Sequence, residues 1–149
     1  NGFVAPGVEF LEPDPYYTVV VPATALQSIT CGGYNSSNNS LYENSSWGPS
    51  RMEVQSPDLV APAVNVLGAF PGGEFDLMTG TSIAAAITTG ACALMLQWGV
   101  AERHSVSMST SQIRAYMIRG AVRFPEVEYP NEQWGFGILN LYDTFAALR

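Results

Sequence analysis

Charge is what this sequence has least of. Only 13% of its residues are Asp, Glu, Lys or Arg, against about 25% in an average soluble domain, while 47% are apolar. That balance demands either a large core for the length or cover from other polypeptide. Basic residues are the scarcest, six Lys and Arg against thirteen Asp and Glu for a net charge of −7. A phosphate-binding face needs clustered cations, and these are mostly spaced apart, so nucleic acid is excluded as a partner. Of the two cysteines, Cys31 lies in strand-like and Cys92 in helix-like sequence. Nothing in their spacing asks for a disulfide, and two buried free thiols are expected. A single histidine, His104, is present. The charged and apolar regions of a secretory signal are missing from the start. The opening "NGFVAPGVEFLEPDP" has no initiator Met and no periodic pattern, and reads like the middle of a longer chain.

At 149 residues the chain is the size of one domain. Residues 1–149 read as one block without internal repeats, with 1–15 an irregular lead-in. "YYTVVVPATA" and "LQSITCGGYN" predict two short strands between Pro and Gly. Asn35 to Ser46 is a polar, turn-rich loop, whose three Asn-x-Ser triplets arise readily in such composition. "SPDLVAPAVNVLGAFPGG" is broken by Pro57, Pro62 and Pro71 and predicts extended chain with bends. Ser82 to Gln97 then carries apolar side chains at nearly every position and no Pro, which predicts a helix about 24 Å long, buried on most sides and capped by Thr81 or Ser82. Ile83 to Val100 is also long enough to span a membrane, but Thr88, Thr89 and Gln97 interrupt it and no Lys or Arg anchors either end closely. "STSQIRAYMIRGA" predicts a second helix, capped by Ser109 or Thr110 and ended by Gly120. A third runs from about Leu141 to Leu148. Strands alternating with helices predict an α/β fold with a largely parallel sheet.

Within "DLMTGTSIAAAITTG" one hydroxyl, Ser82, sits between a glycine and a long apolar run. A serine is a poor nucleophile until a base removes its proton. The first turn of a helix, however, offers unpaired N–H groups and the positive end of the dipole to an oxyanion forming beside that hydroxyl. Gly80 permits a sharp bend before it, and Ala84, Ala85, Ala86 and Gly90 permit close packing behind it. The simpler reading of the same stretch makes Ser82 an N-cap and the alanines packing residues.

Four segments taken together weigh against that simpler reading. Ser46-Trp47-Gly48-Pro49, Pro57-Asp58-Leu59-Val60-Ala61-Pro62-Ala63-Val64, Gly80-Thr81-Ser82-Ile83-Ala84 and Gly135-Phe136-Gly137 occur in the order in which the subtilase family of serine proteases places its corresponding motifs. The sequence over roughly residues 16 to 149 therefore resembles that family, and its wording is most similar to the clostridial proteases of spore germination. The resemblance implies the C-terminal portion of a subtilisin-like three-layer fold, with a mainly parallel sheet and a buried central helix starting at the serine. It implies Ser82 as nucleophile, the Ser82 backbone N–H as half of an oxyanion hole, and Gly80, Thr81 and Ala84 as supporting residues. A protein or peptide substrate, an upstream segment of the same protease, and a secreted or spore-associated setting in bacteria follow from the same likeness. Two departures stand out: Ala86-Ile87 where the family usually has Pro-His, and Ala63 where it usually has Gly.

The resemblance also implies an Asp and a His ahead of the serine, since a triad acts as a unit and subtilisin orders it Asp, His, Ser. No histidine precedes Ser82; His104 follows it, in a polar stretch that reads as a solvated loop. The order Ser, acid, His would suit an α/β-hydrolase, but Ala84 stands where that motif wants Gly, "EFDLM" is a short strand, and only Glu102 lies between Ser82 and His104. The chain is thus expected to be inactive alone, aggregation-prone, and dependent on an upstream segment. Two classes stay open, a serine endopeptidase and a non-catalytic relative acting as regulator or sensor. No cofactor is visible. Calcium remains possible in the full-length protein, although Asp14, Asp58, Asp76 and Asp143 show no D-x-D-x-D spacing. Asp58 is expected to be a structural hydrogen-bonding residue, Trp47, Trp98 and Trp134 packing aromatics, with Trp47 the one that could touch substrate, and Arg119 and Arg123 a solvated helix end. No membrane partner is expected.

Overall fold

The computed structural model describes residues 9–148 apart from 53 and 106; the first eight residues of the expected lead-in lie outside the described residues. Strand β1, Cys31–Asn35, is the axis of the main sheet. It pairs antiparallel with β2, Ser40–Leu41, and parallel with β3, Leu59–Pro62, so that Gly32 faces Val60 and Gly33 faces Ala61. A single parallel bridge from Val60 to Ile138 extends the sheet on its far side. Strands β4, Val66–Phe70, and β5, Glu74–Met78, form a separate antiparallel hairpin that leads into helix α1, Thr81–Leu96. A π-helical turn, Gln97–Ala101, continues α1. Helices α2, Thr110–Arg119, and α3, Leu141–Ala146, follow.

The predicted α/β architecture is present, with corrections in its parts. Residues 16–25 form turns instead of a strand: Tyr17 sits at φ 56°, and Ala23, Ala25 and Ser28 each donate to a carbonyl three residues back. Apart from the Thr18 N–H, which donates to the Trp47 carbonyl, the chain there bonds to near neighbours and offers no ladder. Helix α1 buries one stripe, Ala84, Thr88, Ala91 and Met95, instead of most sides, because β1 and β3 cover it from one direction only; Ala85, Ala86, Gly90 and Leu96 are exposed. The stripe contains Thr88, whose hydroxyl donates to the Ala84 carbonyl at 2.8 Å and the Cys31 Sγ at 3.0 Å. The helical run Thr81–Ala101 is long and apolar enough to cross a membrane by length and composition, yet this stripe is packed on a sheet. The second helix forms as expected: Ser109 caps it with a capping box to Gln112, and Gly120 ends it. The third is shorter than predicted and is capped by Asn140.

Burial concentrates behind β3. Leu59 packs with Met95, Ile113 and Met117 between α1 and α2. Val60 packs with Trp134 and Ile138, and Ala61 with Ala63 and Ala84. One charged group enters this region. Asp58, its side chain 4% exposed, is ion-paired with Arg114 of α2, whose side chain is 34% exposed. It accepts from Arg114 Nε at 2.6 Å and from the Thr30 N–H at 2.8 Å. Burial pushes the Asp58 carboxyl above the ordinary carboxylate range, and the Thr30 N–H and the Arg114 charge pull against that rise. Asp58 is therefore a structural hydrogen-bonding residue, as expected. Gly135, at φ 57°, turns the chain against the Pro57 and Asp58 carbonyls, and a Cβ there would overlap backbone on both.

These contacts predict two stability effects. Asp58→Ala strands the guanidinium and the Thr30 N–H, and should destabilise the protein by about 3 kcal/mol. Asp58→Asn keeps one acceptor oxygen for the Thr30 N–H but turns its NH2 toward the half-exposed guanidinium, so it should cost less than the alanine variant, about 2 kcal/mol. Urea unfolding of both variants checks the ranking, which equal losses would contradict. Gly135→Ala should cost more than about 3 kcal/mol through combined strain and overlap; a melting temperature within a degree of the parent would refute that reading.

Candidate functional site

Ser82 sits on the first turn of α1, and its position follows from how the chain enters the helix. Gly80 is the N-cap at φ 153°, ψ 156°, a conformation that side-chained residues rarely adopt. Its N–H donates to the Ala63 carbonyl at 2.8 Å, and its carbonyl accepts from Ile83. One residue earlier, Thr79 Oγ1 accepts from the Asn65 N–H at 2.9 Å. The hinge is thereby tied to the end of β3, and Ala63 N–H reaches on to the Tyr34 carbonyl at 2.9 Å. Ala63, the residue that departs from the expected Gly, is fully buried against Ala61 and Ala84. The tight bend after it falls on Asn65, at φ 51°.

No side chain caps α1, which corrects the expectation that Thr81 or Ser82 does so. The reason is geometric: Gly80, at positive φ, occupies the cap position and places both hydroxyl residues inside the helix. Ser82 is exposed and Thr81 half-buried. Both line a cleft of about 390 Å³ together with the segment Val19–Ala23 and with Thr30, Cys31, Gly32 and Pro57. Ser45 and Ser46 close one side, and Ser45 Oγ accepts from the Gly33 N–H at 3.0 Å. None of the lining residues is charged. Ala84, half a turn on, is fully buried and faces the sheet.

Cys31 is the second nucleophile-bearing residue in the cleft. Burial pushes its thiol up to about 11, against a hydrogen bond from Thr88, so at neutral pH it is a thiol and no rival to an alcohol activated by a base. Cys31 and Cys92 are both free, and half-buried where full burial was expected.

His104 lies beyond the π turn at the opposite end of α1 from Ser82, about 24 Å along the helix. It is 51% exposed, with Nε2 3.8 Å from a Glu102 carboxylate oxygen, and its ring stacks on Trp98 at 4.8 Å. That distance removes the α/β-hydrolase alternative, because a general base must reach the hydroxyl directly or through one water. Trp134 packs between Tyr34 and Phe124, and Trp47 stands edge-on to Tyr16 at 5.5 Å. Among the described residues no three His, Cys, Asp or Glu side chains gather in a way that could hold a metal ion.

Three of the four segments singled out in the sequence line this cleft, through Ser46, Pro57, Thr81 and Ser82, and the fourth, Gly135-Phe136-Gly137, is hydrogen-bonded to the second. Gly80 is tied to Ala63, Phe136 N–H donates to the Asp58 carbonyl at 2.8 Å, Val60 N–H to the Gly137 carbonyl at 3.0 Å, and Gly48 N–H to the Glu132 carbonyl at 2.9 Å. Thr30, Ser45 and Arg114 also belong to this framework, and no pattern in the sequence marks them, since each acts through a partner remote in the chain.

Comparison with known proteins agrees with this arrangement. The profile described as the subtilase family matches residues 12–137. Bacillopeptidase F of Bacillus subtilis is 25% identical over 150 residues, covering 98% of this chain and 10% of that protein. Subtilisin E of Bacillus subtilis is 35% identical over 79 residues, 53% of this chain and 19% of the relative. Among solved structures, the Clostridium perfringens CspB protease superposes with a TM-score of 0.88 at 38% identity, over 93% of this chain and 30% of that one. The PatG macrocyclase in complex with peptide superposes with a TM-score of 0.69 at 25% identity, over 86% of this chain and 38% of that one. The chain thus spans only a tenth to a fifth of these curated relatives. With a family profile running through all but its ends and three of its four motifs lining one cleft, this chain belongs to the subtilase family.

Proposed function

We propose that these residues form the nucleophile-bearing part of a subtilisin-type serine endopeptidase, with Ser82 as the catalytic residue. The observation that carries the reading is an exposed hydroxyl on the first turn of α1, not used as a cap, facing an uncharged cleft. Ser82 Oγ attacks the scissile carbonyl carbon and its proton passes to an imidazole supplied by polypeptide outside these residues. The carbonyl oxygen becomes an oxyanion beside the Ser82 N–H and the positive end of α1. The amine then leaves with the proton, and water releases the acyl group. A peptide substrate lies along the cleft edge as an added strand; Gly80 and Thr81 hold the hinge, and Ala84 seats the helix behind the nucleophile. The 38% identity with the CspB protease supports a narrower kinship with the clostridial germination-type proteases.

A phosphonofluoridate applied to the full-length protein should add its phosphonyl mass to the peptide containing Ser82. Ser82→Ala should take up none, and should lose peptide hydrolysis by at least ~10⁴-fold while keeping its melting temperature. A folded protein that stays unlabelled would overturn the nucleophile assignment and favour a non-catalytic regulator.

A further inference from the structure

The wall segment Val19–Ala23, which lines the same cleft as Ser82, has no strand ladder to hold it. Val19 is buried, but Val20 and Val21 are 67% and 78% exposed. Two clamps fix the segment. At its front, Thr18 N–H donates to the Trp47 carbonyl at 3.1 Å, and Trp47 N–H donates to Thr18 Oγ1 at 2.9 Å. At its back, the Ala23 carbonyl accepts from Thr30 Oγ1 at 2.7 Å and from Ser28 Oγ at 3.3 Å. Ser28 has a nearer acceptor in the Ala25 carbonyl at 2.7 Å, so Thr30 is the principal hold. The backbone of Thr30 is itself pinned on both sides by one residue. Its N–H donates to Asp58 Oδ2, and its carbonyl accepts from the Asp58 N–H at 2.8 Å. Asp58 is anchored in turn to Arg114 of α2.

From this chain of contacts we infer that Thr30 is a positioning residue for substrate: its hydroxyl carries the Asp58–Arg114 anchor to the Val19–Ala23 wall and sets the width of the cleft beside Ser82. The inference deepens the endopeptidase reading and rests on it. A peptide packed between Ser82 and the wall gains orientation only if the wall is fixed to about half an ångström. A small reagent that reaches Ser82 alone gains nothing from it.

Thr30→Val removes the hydroxyl at constant shape, and Thr30→Ser restores it. In the full-length protein, Thr30→Val should slow labelling of Ser82 by a tetrapeptidyl phosphonate roughly 3- to 10-fold, the worth of one hydrogen bond. Labelling by a small phosphonofluoridate should stay within about two-fold, and Thr30→Ser should behave as the parent. The backbone amide of Ala23, which donates to the Val20 carbonyl, should exchange hydrogen faster in Thr30→Val, with those of α1 unchanged. Equal slowing of both reagents, or no slowing of either, would overturn the positioning role, as would unchanged exchange at Ala23. A parent protein that neither reagent labels would sink the nucleophile assignment instead, leaving the exchange measurement to judge the clamp by itself.

Discussion

Everything around the cleft hangs on Asp58. Its carboxylate joins Thr30, the residue that leads into β1, through the Thr30 N–H, to α2, through Arg114. Its main chain joins the same residue, through the Thr30 carbonyl, to the glycine turn, through Phe136. A buried carboxylate is costly, as the upward push of burial on its proton affinity records, and such a group persists where hydrogen bonds and an opposite charge satisfy it. Here three residues, Thr30, Arg114 and Phe136, converge on one from parts of the chain widely separated in sequence. The result is a rigid frame on which β3 runs straight toward the hinge that carries Ser82.

From that frame the placement of the hydroxyl follows in two short steps. Ala63, just past the end of β3, accepts from the Gly80 N–H, which fixes where α1 begins, and Gly80, at positive φ, takes the cap position. Ser82 is then left on the first turn with its hydroxyl free of capping and close to amides that the helix cannot pair internally. Had Thr81 or Ser82 been the cap, the hydroxyl would have been consumed by the helix it starts. The uncharged lining of the cleft strengthens any partial charge offered there, because little else competes for an oxyanion.

Much of this was legible from local pattern. The second helix, with its Ser109 box and Gly120 end, is a matter of neighbours three residues apart, and sequence reports those well. The four motifs around Ser82 were likewise readable as a set. What failed was whatever depends on distant partners. "YYTVVVPATA" has the composition of a strand but finds no strand to pair with, so it folds on its own turns. The apolar run of α1 promised burial on most sides, whereas one stripe is covered and Leu94 and Leu96 remain exposed. Leu67, Phe75 and Leu77 of the β4–β5 hairpin are exposed as well, so the shortage of charge noticed at the outset reappears as apolar faces on the surface. Thr30 and Arg114 gave no signal because a threonine before a strand and an arginine on a helix are ordinary until Asp58 is seen between them.

The central claim is that the first turn of α1 presents an alcohol and an amide to the same reacting carbonyl. A crystal structure of the full-length protein carrying a phosphonyl group on Ser82 tests it most directly. The account predicts a phosphoryl oxygen about 3 Å from the Ser82 N–H, with the remaining substituent lying along the Val19–Ala23 wall. A phosphoryl oxygen turned away from the start of α1, with that amide bonded elsewhere, would contradict it.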